Sequence, residues 1–342
     1  MNRPFRAAVI GCGRIGVTME SDPFRIKPAT HAGAFSQSKL TELAALVDNN
    51  SDQLKKAKAL FPGVPVYANA EDMLQACKPD IVSIAVEPAE HRPLVELCAG
   101  HRVPAILCEK PIALSPTDSE AMIKICRQNK SLLFVNHSRR FDPELRKTSE
   151  EIRNGALGLL HQGSAYYTAG LLNTGTHLVD LLRFLIGKEV EWVSAFHERR
   201  FTAPPGDFNV NGWLMFEGNL PVCVQALEVK DYAIFEVRLW GSQKTLVVDR
   251  FGFSTEWFPV IDSPLFQGYK ELDWHGSGRK GDSRSFMQAV VEHMIDCLEG
   301  RAKPVSSGEE ALQTLLVLNT LQESAERQGQ KVRVPKKALI HE

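Results

Sequence analysis

The sequence has neither a strong excess of charge nor a long apolar run. Its 342 residues include 40 lysines and arginines and 41 aspartates and glutamates, which gives a formal net charge of −1. A charge this small creates no field that would attract nucleic acid or an anionic membrane surface. No apolar stretch approaches the roughly twenty residues that a membrane span requires, and the first residues do not resemble a signal peptide. The composition therefore predicts a cytoplasmic protein that binds a small neutral or anionic molecule.

Cysteine is sparse and lacks the spacing of a metal site. The seven cysteines are scattered, most of them among apolar residues, and no two form a CxxC pair. Five histidines also stand without ligand spacing, at positions 137, 161, 197, 275 and 293. We expect reduced cysteines packed in the core, with no disulfide framework and no metal ion.

A glycine pattern follows the first apolar run. Residues 7–10 predict a buried parallel strand, and the next six residues, GCGRIG, have the spacing GxGxxG. Glycines at this spacing allow a tight turn and a close approach of a pyrophosphate to the backbone, where a helix opens with an N-terminus that attracts anions. The pattern predicts a dinucleotide site whose cofactor-binding residues are Gly11, Gly13, Arg14, Ile15 and Gly16.

The segment after these glycines departs from the usual spacing. Residues 17–30 include two prolines, which exclude a regular helix and predict an inserted loop. A helix is predicted at 29–36 and an apolar strand at 43–47, which ends at Asp48. An acidic residue that binds the adenosine ribose is expected about twenty residues after the glycines. The inserted loop accounts for the longer spacing of Asp48.

Asp48 also bears on the choice of cofactor. A carboxylate there would accept hydrogen bonds from both ribose hydroxyls and repel a 2′-phosphate. Asn49 and Asn50 supply no cation to compensate, although Arg14 could turn toward a phosphate. The sequence therefore predicts NAD, with NADP as the less favoured alternative.

The order of apolar runs predicts an α/β fold with two domains, as expected for a chain of this length. Up to residue 136, short apolar strands alternate with helical patterns, which is typical of a Rossmann domain with a doubly wound parallel sheet. Five strands then follow one another between 190 and 249, so residues 137–342 should form an α+β domain with a large, mostly antiparallel open sheet. Trp213 and Trp240 are expected on its open face, which predicts a homodimer or homotetramer formed through this sheet.

Three separated motifs resemble the Gfo/Idh/MocA family of NAD(P)-dependent oxidoreductases. They are GCGRIG with Asp48, the tetrapeptide CEKP at 108–111 and the hexapeptide GTHLVD at 175–180. The resemblance extends over almost the whole chain and includes NHSRRFDP at 136–143. It implies a substrate that is a sugar, a polyol or a sugar nucleotide.

The resemblance also implies roles for individual residues. It places Glu109 and Lys110 at the cofactor, with Lys110 beside the nicotinamide, and it makes His177 the acid or base for a substrate hydroxyl. Members of the family usually have aspartate four residues before this histidine, whereas this chain has Asn173. The resemblance thus implies Lys110, His177 and Asn173 as catalytic and substrate-binding residues.

The residues themselves support two of these roles and leave alternatives. Lys110 follows an apolar strand at the sheet edge where ligands bind, and its ammonium could stabilise an alkoxide; the alternative is a solvated loop lysine. His177 shares a polar stripe with Asn173 and Asp180 on an otherwise apolar helix. It could exchange a proton with a hydroxyl or instead be a core histidine paired with Asp180. Asn173 could bind substrate, cap the helix, or do both.

Two further residues follow strand ends. Arg140, next to Arg139, is expected to hold a substrate carboxylate or phosphate, with a surface salt bridge as the alternative. His91 comes after another strand, where the resemblance places the cofactor, and is expected to support the site.

The leading hypothesis is a nicotinamide-dependent dehydrogenase or reductase acting on a secondary alcohol or ketone. A second hypothesis is an NAD-binding sensor or regulator without turnover, which Asn173 favours and the retained Lys110 and His177 oppose. A third is a redox-assisted lyase or glycosidase that regenerates its cofactor in each cycle. The sequence leaves the sugar and the direction of the reaction open.

Overall fold

The computed structural model describes residues 3–280 and 285–335, and it divides into two compact units. One consists of Met1–Asp142 and Ser283–Leu312, and the other of Pro143–Asp282 and Gln313–Glu342. The predicted boundary after residue 136 differs from this division. It assigned the helix Phe286–Leu298 to the second domain, whereas this helix packs with the first unit through residues such as Met287 and Met294.

A six-stranded parallel sheet forms the centre of the first unit, in the order β3-β2-β1-β4-β5-β6. Its strands are β1 Phe5–Ile10, β2 Thr41–Val47, β3 Val66–Tyr67, β4 Ile81–Ile84, β5 Ala105–Cys108 and β6 Leu132–Val135. Its helices before residue 130 are α1 His31–Gln37, α2 Ser51–Leu60, α3 Ala70–Cys77, α4 His91–Gly100 and α5 Pro116–Gln128. The strand order reverses between β1 and β4, which is the position where open α/β sheets bind ligands. The predicted Rossmann sheet is confirmed.

The glycine turn leads into an irregular segment before the first regular helix. The chain forms an irregular turn and a short 3₁₀ segment at Thr18–Ser21, and α1 begins only at His31. The amide of His31 donates to the carbonyl oxygen of Ile15 at 3.1 Å, and that of Ala32 donates to Gly16 at 3.0 Å. In an unbroken helix, the amides of Met19 and Glu20, four positions after Ile15 and Gly16, would make these bonds. The predicted loop at 17–30 is thus confirmed. It separates the glycine turn from α1 in sequence, and the first amides of α1 return to donate to carbonyl oxygens of that turn.

The second unit contains a sheet in the order β14-β13-β12-β11-β7-β10-β9-β8-β16, with β15 paired to β13. Its strands are β7 Leu160–Thr168, β8 Val190–His197, β9 Val210–Phe216, β10 Leu220–Leu227, β11 Phe235–Gly241, β12 Lys244–Asp249, β13 Ser254–Asp262, β14 Lys270–Leu272, β15 Ser277–Lys280 and β16 Val332–Arg333. The remaining helices of the chain are α6 Pro143–Arg153, α7 Thr176–Ile186, α8 Phe286–Leu298 and α9 Gly308–Glu326. All pairings are antiparallel except β7 with β10. The large, mostly antiparallel sheet is confirmed, and β13–β16 are strands that the sequence did not reveal.

Alternation along the strands separates two faces of this sheet. Phe235, Val237 and Leu239 of β11 are buried, and α7 packs against this strand. The opposite face carries Trp213, which is 45% exposed, and Trp240, which is half-buried. The predicted packing of the apolar face is confirmed.

All seven cysteines are free thiols, and every one except Cys223 is buried. Burial raises the pKa of Cys12, Cys98 and Cys126 to about 12, so these thiols stay protonated at neutral pH. Among the residues that the structure describes, no group of three potential ligands could hold a metal ion. Within the same ranges, no helix is both long enough and apolar enough to span a membrane.

Candidate functional site

The glycine turn is shaped by close backbone packing at two of its three glycines. Gly11 has φ 97°, a conformation that side chains disfavour, and a Cβ there would overlap the carbonyl oxygen of Ala85. A Cβ on Gly16 would overlap the carbonyl oxygen of Gly11, while a Cβ on Gly13 would meet nothing within 4 Å. Gly13 therefore presents bare backbone beside open space, which fits the approach of a pyrophosphate.

Asp48 lies directly after β2 and is tied to the glycine turn. Its Oδ2 accepts a hydrogen bond from the amide of Cys12 at 2.7 Å, and its Oδ1 accepts one from the amide of Asn50 at 2.8 Å. These bonds fix the half-buried carboxylate next to the turn, and each oxygen keeps a lone pair for a further donor. Arg14 is exposed on the turn, and Ile15 is half-buried.

Glu109 and Lys110 follow β5 at the same edge of the sheet. Glu109 is buried, and its Oε1 accepts hydrogen bonds from Nδ2 of Asn136 at 2.6 Å and from Nε2 of His31 at 2.8 Å. Burial by itself would raise the pKa of this carboxyl. The bonds to His31 and Asn136 and the charge of Lys110 outweigh burial and lower the pKa to about 2. Glu109 is therefore ionised at neutral pH.

The backbone of Lys110 is held by this carboxylate. The Lys110 amide donates to Oε2 of Glu109 at 3.2 Å, the Lys110–Pro111 peptide bond is cis, and the lysine itself is half-buried. Glu109 was expected to bind cofactor, whereas its side chain lies among protein donors under Lys110. Its contacts favour a positioning role.

Three buried residues near this edge were missed by sequence reasoning. They are His31, Ser83 and Asn136. Two of them carried a local signal, because Ser83 is polar within the apolar strand IVSI and His31 precedes the apolar residues AGAF in α1. Nothing in the sequence showed that they meet at Glu109.

His91 is also buried, and it holds the other side of the Lys110 loop. Its Nδ1 lies 3.1 Å from the carbonyl oxygens of Pro111 and Ile112, and its Nε2 lies 3.1 Å from that of Val86. It thereby links the loops that follow β4 and β5. The expectation that His91 supports the site agrees with these contacts.

Arg140 has a setting that differs from the expected one. Its side chain is buried, its Nη1 lies 3.0 Å from Oε2 of Glu310, and it donates to the carbonyl oxygen of Val305 at 3.2 Å. These partners all belong to the first unit. The contacts support a structural role for Arg140 in place of substrate binding. The neighbouring Arg139 lies over the ring of Phe286 at 5.8 Å.

In the second unit, Asn173 is not the helix cap. It lies inside a π-helical turn, Leu171–Gly175, that runs directly into α7. Its Nδ2 donates to the carbonyl oxygen of Ala169 at 3.2 Å, and its side chain is exposed. The interpretation of Asn173 as the helix N-cap is wrong, because the π-helical turn that leads into α7 begins two residues before it.

The capping role belongs to Asp207, which the sequence did not single out. Its carboxylate accepts the amide of Leu172 at 3.0 Å and the amide of Asn173 at 2.9 Å. A Cβ on Gly170 would overlap this carboxylate, so only glycine fits before the turn. Asp207 thus fixes the backbone that presents Asn173.

His177 occupies a distinctive position on α7. Every other residue of this helix is buried, whereas His177 is half-buried. Asp180 is buried and accepts a hydrogen bond from Oγ1 of Thr314 at 3.1 Å, while Nη1 of Arg183 donates to the same hydroxyl at 3.0 Å. The contacts of Asp180 support a structural role for it, and His177 is the polar group of this helix that solvent can reach.

Comparison with known proteins identifies the first unit. Residues 5–137 match the family described as "Oxidoreductase family, NAD-binding Rossmann fold". This segment thus resembles the Rossmann domain of the Gfo/Idh/MocA oxidoreductases. Its glycine turn, Asp48 and the Glu109–Lys110 pair all lie within the matched residues.

Proteins similar to this chain include sugar and polyol dehydrogenases. A D-apiose dehydrogenase from Paraburkholderia graminis is 26% identical over 96% of this chain and 89% of its own length. A myo-inositol 2-dehydrogenase from Thermotoga maritima is 27% identical over 56% of this chain and 57% of its own length. The crystal structure of the WlbA dehydrogenase from Bordetella pertussis in complex with NADH and UDP-GlcNAcA shares the fold. It superimposes with a TM-score of 0.80 at 22% identity, over 98% of this chain and 99% of that one.

The candidate site residues fall into both units of the chain. Gly11, Gly13, Asp48 and Lys110 lie at the carboxyl ends of parallel strands and therefore at one edge of the first sheet. Asn173 and His177 lie in the second unit, where Asp207 and the buried face of α7 fix their backbone.

Proposed function

We propose that the protein is an NAD-dependent dehydrogenase or reductase. Its substrate is a secondary alcohol or the corresponding ketone of a sugar, a polyol or a sugar nucleotide. The observation that carries this proposal is Lys110, whose backbone is held by an ionised, buried Glu109 at the sheet edge that also bears the glycine turn. The names of the dehydrogenases from Paraburkholderia graminis and Thermotoga maritima support the substrate class.

The residues of the chain and the cofactor have separate roles in this reaction. Gly11 and Gly16 allow the tight turn, Gly13 leaves its backbone open to the pyrophosphate, and Asp48 accepts the adenosine ribose hydroxyls. A bound nicotinamide supplies the hydride acceptor or donor. The Lys110 ammonium stabilises the negative charge that develops on the substrate oxygen. His177 accepts or donates the hydroxyl proton.

Asn173 binds substrate in this proposal. It is exposed on a fixed turn one helical turn before His177, and an amide offers both a donor and an acceptor to sugar hydroxyls. Unlike the aspartate usual in the family, it adds no charge beside His177. Arg140 has no part in substrate binding because of its buried contacts with Glu310 and Val305.

We expect NAD to bind more tightly than NADP. A 2′-phosphate would be placed next to the Asp48 carboxylate, and Asn49 and Asn50 supply no positive charge. Titration of the protein with NADH and NADPH, followed by nicotinamide fluorescence, measures both affinities. Asp48→Ala should narrow the difference, and equal or tighter binding of NADPH by the unmodified protein would contradict the assignment.

Substrate screening tests the reaction itself. The purified protein is incubated with NAD and a panel of aldoses, inositols and sugar nucleotides, and reduced nicotinamide is followed by absorbance. Turnover that depends on Lys110 and His177 supports the proposal. NAD binding without turnover of any substrate would favour a regulator. Consumption of a sugar without net formation of reduced cofactor would favour a lyase or glycosidase with a recycled cofactor.

A further inference from the structure

Four buried polar side chains form a continuous hydrogen-bonded chain beneath Lys110. Oγ of Ser83 lies 2.7 Å from Nδ1 of His31, and Nε2 of His31 lies 2.8 Å from Oε1 of Glu109. Nδ2 of Asn136 donates to the same oxygen at 2.6 Å. These hydrogen bonds link α1, β4 and the residues that follow β5 and β6, with Ser83 of β4 connected to Glu109 through His31.

The direction of these bonds follows from the charge of Glu109. An ionised carboxylate only accepts hydrogen bonds, so Nε2 of His31 carries the proton in this contact. Nδ1 then faces the Ser83 hydroxyl. Ser83 and His31 are both fully buried, which places the serine hydroxyl out of reach of a substrate and excludes a nucleophilic serine. The arrangement therefore serves to hold Glu109.

The other oxygen of Glu109 connects this hydrogen-bonded chain to the backbone of Lys110. Oε2 accepts the Lys110 amide at 3.2 Å, and on the far side of the lysine His91 contacts the carbonyl oxygens of Pro111 and Ile112. We propose that His31 is a positioning residue, which fixes the Lys110 backbone through Glu109. This inference rests on the proposed function, because it concerns the lysine that acts on the substrate oxygen.

Removing His31 would take one strong donor from a buried carboxylate. A buried charge that loses a partner turns toward other donors or toward water, and Oε2 would then release the Lys110 amide. A displacement of a catalytic group by about 1 Å costs on the order of 100-fold in rate. We therefore expect kcat to fall. The contacts of Asp48 and the glycine turn are kept, so cofactor affinity should change little.

Two substitutions of His31 separate positioning from packing. His31→Leu removes the donor at similar volume, whereas His31→Gln keeps an N–H that can reach Glu109. His293→Leu is the matched control, because His293 is another buried histidine of the first unit that contacts Val305 and Cys297. The measurements are kcat and KM, the affinity for NADH, thermal melting, and hydrogen exchange of the Lys110 amide.

We expect His31→Leu to lower kcat about 10- to 100-fold with less than about threefold change in NADH affinity. Exchange of the Lys110 amide should become faster in His31→Leu, and His31→Gln should restore most of both properties. His293→Leu should lower the melting temperature and leave this exchange unchanged.

Unchanged exchange of the Lys110 amide in His31→Leu would overturn the inference. So would equal losses in His31→Gln and His31→Leu, or faster exchange at Lys110 in His293→Leu. If the unmodified protein turns over no substrate, the proposed function fails, and the exchange measurement still decides the role of His31.

Discussion

At the residue scale, the candidate chemistry depends on two side chains with different surroundings. Lys110 is held through its backbone by a buried carboxylate, and His177 is the one accessible position on a buried helix. We expect Lys110→Ala and His177→Ala each to lower turnover about 100-fold or more, the loss typical of a charge-stabilising or proton-transfer group. NADH affinity should stay within about threefold. Turnover near the unmodified rate in either variant would assign that residue to packing or to the surface.

The substitution Asn173→Asp tests the departure from the usual aspartate. A carboxylate one turn before His177 would stabilise the imidazolium and raise its pKa in the variant. The base form of His177 would then appear at higher pH, so the acid limb of the kcat/KM profile should move upward. The new charge would also lie near the Asp207 carboxylate, which accepts the Asn173 amide. We therefore expect weaker substrate binding and a lower melting temperature, because two carboxylates close together repel each other. An unchanged pH profile with unchanged substrate affinity would show that Asn173 does not act on substrate.

At the element scale, local patterns predicted most of the fold. Continuous apolar runs revealed β1, β4, β5 and β6, because strands of a parallel sheet are buried on both faces. Alternation revealed β11, where one face is buried and the other is half-exposed. The strand β13 was missed, since it contains a proline and ends with the exposed Ile261 and Asp262, which weaken the alternation.

The candidate site was predicted less completely because its geometry depends on distant partners. The acids and cations at strand ends were visible, since parallel strands end at a common edge. The contact of His31 with Glu109 joins residues far apart in the chain, and so does that of Asp207 with Asn173. No local pattern shows such pairs. The π-helical turn was missed for the same reason, because it is capped by the carboxylate of Asp207, which lies in another loop.

This turn gives a prediction for Asp207. Asp207→Ala removes the acceptor of three amides, those of Leu172, Asn173 and Phe208, whereas Asp207→Asn keeps one acceptor oxygen. An amide left without a partner costs about 1–3 kcal/mol when buried. We expect Asp207→Ala to lower kcat/KM about tenfold through displacement of Asn173, with NADH affinity unchanged and Asp207→Asn intermediate. Steady-state kinetics measure this effect. A lower melting temperature with unchanged kinetics would limit Asp207 to a structural role.

At the scale of the whole molecule, each unit is completed by a segment from later in the chain. The first unit takes Ser283–Leu312 and the second takes Gln313–Glu342, so the chain passes between the units three times. The ring of His293 on α8 lies 5.5 Å from that of Phe141, which is one residue before the end of the first long segment. Folding of the first unit therefore requires residues that follow the second sheet in sequence.

The open face of the second sheet leads to a prediction about assembly. On β8 and β9, Phe196 is 57% exposed and Trp213 is 45% exposed, and the strand register places both on the same face. Large apolar side chains grouped on an open sheet are typical of an interface between subunits. We expect a homodimer or homotetramer, and we expect Trp213→Arg to shift it toward smaller species by burying an unpaired charge. Light scattering after size-exclusion chromatography measures the mass. Phe24→Arg is the control, because Phe24 is 96% exposed but lies in the first unit. A monomeric unmodified protein, or equal dissociation by the two variants, would contradict an interface on the open face.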